Sequence, residues 1–286
     1  QMKLCMAKKV EYNMEIIVNP KKLEKILSKM LLKGKYFSGT ASVSSSISNY
    51  VVMQVKDNCL NLFNGNNTTL CAIAIPTLQT PAVYITNGTL ISVESEGECV
   101  VEISSLVTRL KSFNVESVII NAGDVLTLST VNTTTKFTMA LTLNHPNPAM
   151  IHRAKTMIKK GVPFALNTPY LVGKTELNTI LSTTSSYMES VVKGCDVINV
   201  GKYKFDFKQD QTLTISSVST ATNKFSSRIL TISRKGEPAT VEFAGPFFSF
   251  FAENTDSTIN IIMRDDSPIV FFALDRIILK APFVEG

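Results

Sequence analysis

At 286 residues the chain is long enough for two medium domains with a core each, and although 44% of it is apolar, no uninterrupted apolar run reaches membrane-spanning length. Its five cysteines, Cys5, Cys59, Cys71, Cys99 and Cys195, are odd in number and never spaced C-x-x-C, so neither a disulfide framework nor a zinc site is implied. The formal charge of +6 divides into +3 over residues 1–145, +4 over 146–165 and −1 over 166–286, which suits a polyanionic partner without reaching the density of a nucleic-acid-binding tail.

The start, Gln1-Met2-Lys3, lacks a signal peptide's apolar segment and cleavage site, and the reading is a soluble, intracellular protein with residues 1–13 as an extension. Pro20 to Met30 then shows a helical period: Leu23, Ile26, Leu27, Met30 and Leu31 share a broad apolar face. Lys22, Lys25, Lys29 and Lys33, with Lys21 beside them, gather on the opposite side, where a solvated helix face is the default role. Alternating strands are expected over 58–63 and 69–75, with Asn64-Gly65 as turn punctuation. A second helix is expected at about 102–113, carrying Ile103, Leu106, Val107, Leu110 and Phe113 on one face and flanked by Arg109 and Lys111. Strands follow at 117–120, 125–130 and 136–143.

His145-Pro146-Asn147-Pro148 breaks the last of these, and Gly161-Val162-Pro163 closes a basic connector in which Asn147 as N-cap and Pro148 start a short helix. Beyond it the pattern repeats. A helix is expected at 173–181, with Lys174 at its start and Leu177, Ile180 and Leu181 matching Leu23, Ile26 and Leu27. Strands are expected at 211–216 and 227–232, then the aromatic run Phe247–Phe251, then strands at 258–263 and 269–274. The aromatics could stack on bases, but without a neighbouring Lys or Arg they read as core. The order of helix, strands, helix, strands, stated twice, fits a duplicated α+β domain: domain 1 at 14–145, connector at 146–165, domain 2 at 166–286.

Enzyme chemistry has little to draw on. The two histidines, His145 and His152, both lie in the connector, Asp265-Asp266 sits before Ser267-Pro268 as a turn, and no phosphate-loop or dinucleotide fingerprint is present. No cofactor or metal is expected.

The stretch 57–70 (DNCLNLFNGNNTTL), with 97–110 (GECVVEISSLVTRL) and 125–141 (VLTLSTVNTTTKFTMAL), resembles a bacterial-type DNA sliding-clamp domain. The ending Leu279-Lys280-Ala281-Pro282-Phe283-Val284-Glu285 is similar to the Ala-Pro tail of clamps of the proliferating-cell-nuclear-antigen type. That resemblance implies duplicated clamp domains, each with two inner helices and outer antiparallel sheets, in a non-enzymatic processivity factor. Such a subunit works in a bacterial or archaeal cytoplasm or a phage- or virus-infected cell. It implies duplex DNA as a sequence-independent partner, met by Lys21, Lys22, Lys25, Lys29, Lys33, Arg109, Lys111 and Lys174. It also implies a clamp loader, a homotrimeric ring with a dimer as the alternative, and a DNA polymerase or other protein whose peptide docks at Met150, Ile151, Ala281, Pro282 and Phe283. The chain departs from the family in its basic charge and in the aromatic run where a basic inner helix is expected. The competing reading is a β-rich structural or assembly protein of a virus or phage.

Overall fold

In the computed structural model of the chain, which describes residues 14–32, 48–77, 86, 88–130, 134–159, 162–163, 170–172, 175–198, 202–229, 234–251 and 257–282, strand β1 (Met14–Val18) leads into helix α1 (Pro20–Met30). The helix starts where local chemistry favours it: the Asn19 side chain accepts the Lys22 N–H at 3.0 Å, and Pro20 brings a preset φ to the first turn. Its apolar residues at three- and four-residue spacing, Leu23, Ile26, Leu27 and Met30, are buried, and it stops where Leu32 turns to a φ of 42°.

Strands β2 (Tyr50–Lys56), β3 (Cys59–Gly65) and β4 (Thr69–Pro76) follow. Asp57 and Asn58, at φ 54° and 57°, make the two-residue turn between β2 and β3 whose backbone twist suits a hairpin. Next come β5 (Leu90–Ser95), β6 (Gly97–Glu102), α2 (Ile103–Lys111), β7 (Val118–Ala122), β8 (Leu126–Ser129) and β9 (Lys136–Met139). The first half carries the expected helices and strands, with β9 stopping at Met139, short of residue 143, and adds β1, β2, β5 and β6, which the sequence reading did not mark.

The connector forms α3 (Pro148–Met157), followed by the short strands β10 (Ile158–Lys159), β11 (Val162–Pro163), β12 (Tyr170–Val172) and β13 (Thr175–Leu177). Here the expected helix at 173–181 is overturned. Residues 175–177 belong to β13, whose Leu177 joins a second apolar cluster, and Thr179–Thr184 is β14, a β-branched stretch in which Leu181 faces the main core while Ile180 packs against that second cluster on the sheet's other side. The counterpart of α1 is instead α4 (Ser185–Ile198), whose Met188, Val191, Val192 and Cys195 keep the helical spacing and are buried. The rest is β15 (Lys202–Phe207), β16 (Leu213–Val218), β17 (Lys224–Ile229), β18 (Arg234–Lys235), β19 (Ala239–Ala244), a 3-10 turn at Phe248–Phe250, β20 (Thr258–Met263), β21 (Ile269–Phe272) and β22 (Arg276–Lys280). β17 starts three residues before the expected 227–232, whose residues 230–232 lie outside the described residues, as do 1–13.

Three antiparallel sheets carry the halves: β5-β1-β7-β8-β9, β17-β16-β15-β19, and a nine-stranded sheet ordered β18-β14-β20-β21-β22-β4-β3-β2-β6. The last crosses from one half to the other because β22 pairs with β4 from Thr69–Lys280 to Ile73–Arg276. β3 and β4 are buried at every position, with Leu62, Cys71 and Ile73 in the main core and Phe63, Leu70 and Ala72 beneath α3. Phe247, Phe250 and Phe251 are core, as expected; Phe247 stacks on Phe271 at 4.5 Å between ring centroids. Arg276 and Asp275 are wholly buried at the junction. The Arg276 Nε donates to Asp275 Oδ1 at 2.9 Å and its Nη1 to the Phe250 carbonyl at 2.7 Å, while the Thr86 N–H donates to Asp275 Oδ2. The pair thus ties the 3-10 turn and the β21–β22 turn to the first half, and a buried charge left without its partner costs about 3–5 kcal/mol.

Candidate nucleic-acid interface

Helices α1, α2 and α4 and the 3-10 turn form one layer. α2 packs on α1, α1 touches the 3-10 turn, and that turn touches α4, so the layer crosses the junction between the halves. Because α1 spends its apolar face on the core, Lys21, Lys22 and Lys25 are left exposed and Lys29 half-buried. The side-by-side packing of α1 and α2 brings in two cations distant in sequence: Lys111 lies 3.6 Å from Glu24, and Arg109 donates to the Ser105 carbonyl at 3.0 Å. Lys21 reaches Asn114 Oδ1 at 3.2 Å. Glu24 Oε1 also accepts from the Ser28 hydroxyl at 2.8 Å, so the oxygen that faces Lys111 is shared with a serine. Lys33 and Lys174 lie outside the described residues. The sequence reading missed α4, the helix of this layer in the second half, and with it Lys193; the Met188, Val191, Val192, Cys195 spacing was the signal available.

On the opposite face of the nine-stranded sheet, α3 lies across β3 and β4. Three anchors hold it. The buried His145 accepts the Asn147 N–H on Nδ1 at 3.0 Å, which leaves Nε2 to donate to the Tyr50 carbonyl at 3.1 Å; burial keeps this imidazole below its ordinary 6.5 and therefore neutral. Asn147 Nδ2 donates to the Gly65 carbonyl, and Lys155 Nζ sits 2.6 Å from Glu98. Ile151 is buried in the apolar cluster and Met150 packs against it, both over first-half strands. The tail reaches the same place, since the Ala281 N–H donates to the Thr68 carbonyl at 2.8 Å and Pro282 bridges to Phe243. Met150, Ile151 and Ala281 therefore converge on the β3–β4 turn, with Pro282 beside them; Phe283 lies outside the described residues.

The buried Cys59, Cys99 and Cys195 thiols are pushed up to about 12 by burial, so they are protonated and unreactive at neutral pH. Among the described residues no group of three or more His, Cys, Asp or Glu side chains is placed to hold a metal ion, and no helix is long and apolar enough to cross a membrane.

No protein-family model matches the chain, and no curated protein matches it in sequence. Solved structures match over nearly its whole length. The PCNA of A. fulgidus, in a structure with the C-terminal region of FEN-1, superposes with a TM-score of 0.62 at 12% identity, over 96% of this chain and 99% of that one. The DNA polymerase III beta chain of Streptococcus pneumoniae gives 0.66 at 14% identity, over 99% of this chain and 68% of that one. The beta subunit of Thermotoga maritima gives 0.64 at 15%, over 99% and 69%. The chain has the sliding-clamp fold, a duplicated α+β architecture of helices and antiparallel sheets.

Proposed function

We propose that this chain is a DNA sliding clamp: a non-enzymatic subunit of a ring that encircles duplex DNA inside the cell and tethers a DNA polymerase and other tracking proteins. The observation that carries the reading is the continuous helical layer whose α1 and α2 present lysines and an arginine away from the core. Such cations attract phosphate without reading sequence, which suits a protein that must move along any duplex. The domain division is 14–145, connector 146–165 and 166–286.

The duplication supports a closed ring. β4 is the third strand after α1 and β22 the third after the 3-10 turn, and these two pair within the chain. Their counterparts, β17 after α4 and β9 after α2, are sheet edges paired on one side only among the described residues. Joining β17 of one subunit to β9 of the next repeats the internal junction, and three two-domain chains close a six-domain ring. The archaeal neighbour holds a segment of FEN-1; by analogy, partner peptides with apolar anchors dock here where α3 and the tail converge, at Met150, Ile151, Ala281, Pro282 and Phe283, and a clamp loader opens the ring.

The test is topological. Protein assembled on a closed circular duplex should stay bound through dilution and salt, and should be lost when a single cut makes the DNA linear. Equal retention on both forms would mean ordinary surface binding and would sink the clamp reading.

A further inference from the structure

We propose that the first half of each subunit alone grips the duplex, while the second half supplies a wall of the same helical layer that adds no net attraction for phosphate. The proposal rests on the sliding-clamp reading and adds a division of labour to it. α1 and α2 hold six cations, Lys21, Lys22, Lys25, Lys29, Arg109 and Lys111, against one carboxylate, Glu24. α4 holds one cation, Lys193, against Glu189 and Asp196, and the 3-10 turn has no charged residue. Lys193 is moreover neutralised where it stands, 2.7 Å from Glu189 one helical turn away. Asp196 accepts from the Tyr203 hydroxyl at 2.7 Å. The outward line of α4 is Ser186, Ser190, Lys193 and Val197, and Val197 is 82% exposed.

Placement does not explain the difference, because α1 and α4 touch the same 3-10 turn and belong to one surface. A duplex that meets one helix passes the other. What separates them is the number of counterions each can displace from the phosphates, and that number is set by the excess of cations over carboxylates. In a ring of three, basic sectors would alternate with neutral ones, so that the duplex is attracted at three places and unhindered between them.

The experiment measures log K against log salt for the full chain on short linear duplex of random sequence, whose open ends let a ring pass on and off freely, with circular dichroism to confirm that each variant is folded. Lys22→Ala with Lys25→Ala should lower the slope by about 0.9 for each phosphate that is no longer neutralised. Lys193→Ala should leave it unchanged. Ser186→Lys with Ser190→Lys, placed on the outward line of α4, should raise it by up to about 1.8, as two newly neutralised phosphates would. The division of labour fails if Lys193→Ala reduces the slope as an α1 substitution does, or if the two added lysines change nothing. Wild-type protein that is not held on circular DNA overturns the clamp reading itself, a result distinct from either.

Discussion

Lys280 ends β22 with its side chain almost wholly buried, its ammonium donating to Thr69 Oγ1 at 2.8 Å and lying 3.4 Å from the Pro246 carbonyl. Burial lowers it from an ordinary 10.5 to about 8. The folded chain then holds fewer protons than the unfolded chain between about pH 8 and 10.5, so this residue makes stability rise with pH across that window. Below pH 8 both states are protonated and the full cost remains, on the order of 3 kcal/mol. Lys280→Met keeps the apolar stem and removes the charge, and it should stabilise the chain at pH 7 by roughly 1–3 kcal/mol. Urea unfolding at pH 7 and pH 10 checks this: the gap between variant and wild type should shrink at the higher pH, and a gap independent of pH would refute the assignment.

At the scale of elements, the proposed assembly rests on the edge strands β17 and β9. Adjacent residues of a strand aim their N–H groups to opposite sides, so of Ser226→Pro and Ser227→Pro one removes a donor used by β16 and the other a donor on the open edge. One variant should lose stability. The other should stay folded yet sediment as a single chain where wild type sediments at three times its mass. Wild type that remains a monomer or dimer at micromolar concentration, or two variants that both remain trimers, would count against the β17–β9 junction.

These elements differ in how far the sequence revealed them. α1 was legible because a five-residue apolar face and a lysine stripe point the same way. The misplaced second-half helix rested on Leu177, Ile180 and Leu181, a spacing so short that two strands satisfy it equally; in β14 the alternation of Ile180 and Leu181 between two apolar clusters decides. α4 was hidden by its β-branched Val191 and Val192 and by the absence of a charged stripe. Of the candidate interface, the lysines of α1 could be read from one helix. That Lys111 stands beside Glu24 could not, since only the packing of α2 on α1 brings them together. The convergence of α3 and the tail on one turn is likewise a product of sheet order rather than of any local pattern.

At the scale of the molecule, a chain ending at Lys280 keeps β22 and its pairing with β4, and so should fold and assemble as wild type does. It should nevertheless bind a polymerase-derived peptide more weakly, because Ala281 and Pro282 no longer border the proposed docking place; unchanged affinity by calorimetry would remove the tail from that site. The β4–β22 junction also has a history in time. Thr69 and Lys280 are 211 positions apart. A ribosome adding roughly 5–20 residues per second makes β22 about 10–40 seconds after β4. Through that interval the side of β4 that β22 will occupy offers unmet backbone groups beside apolar side chains to any neighbouring strand. The first half of a nascent chain is thus most open to mispairing with another copy before its second half arrives, and crowded polysomes are where that hazard is greatest.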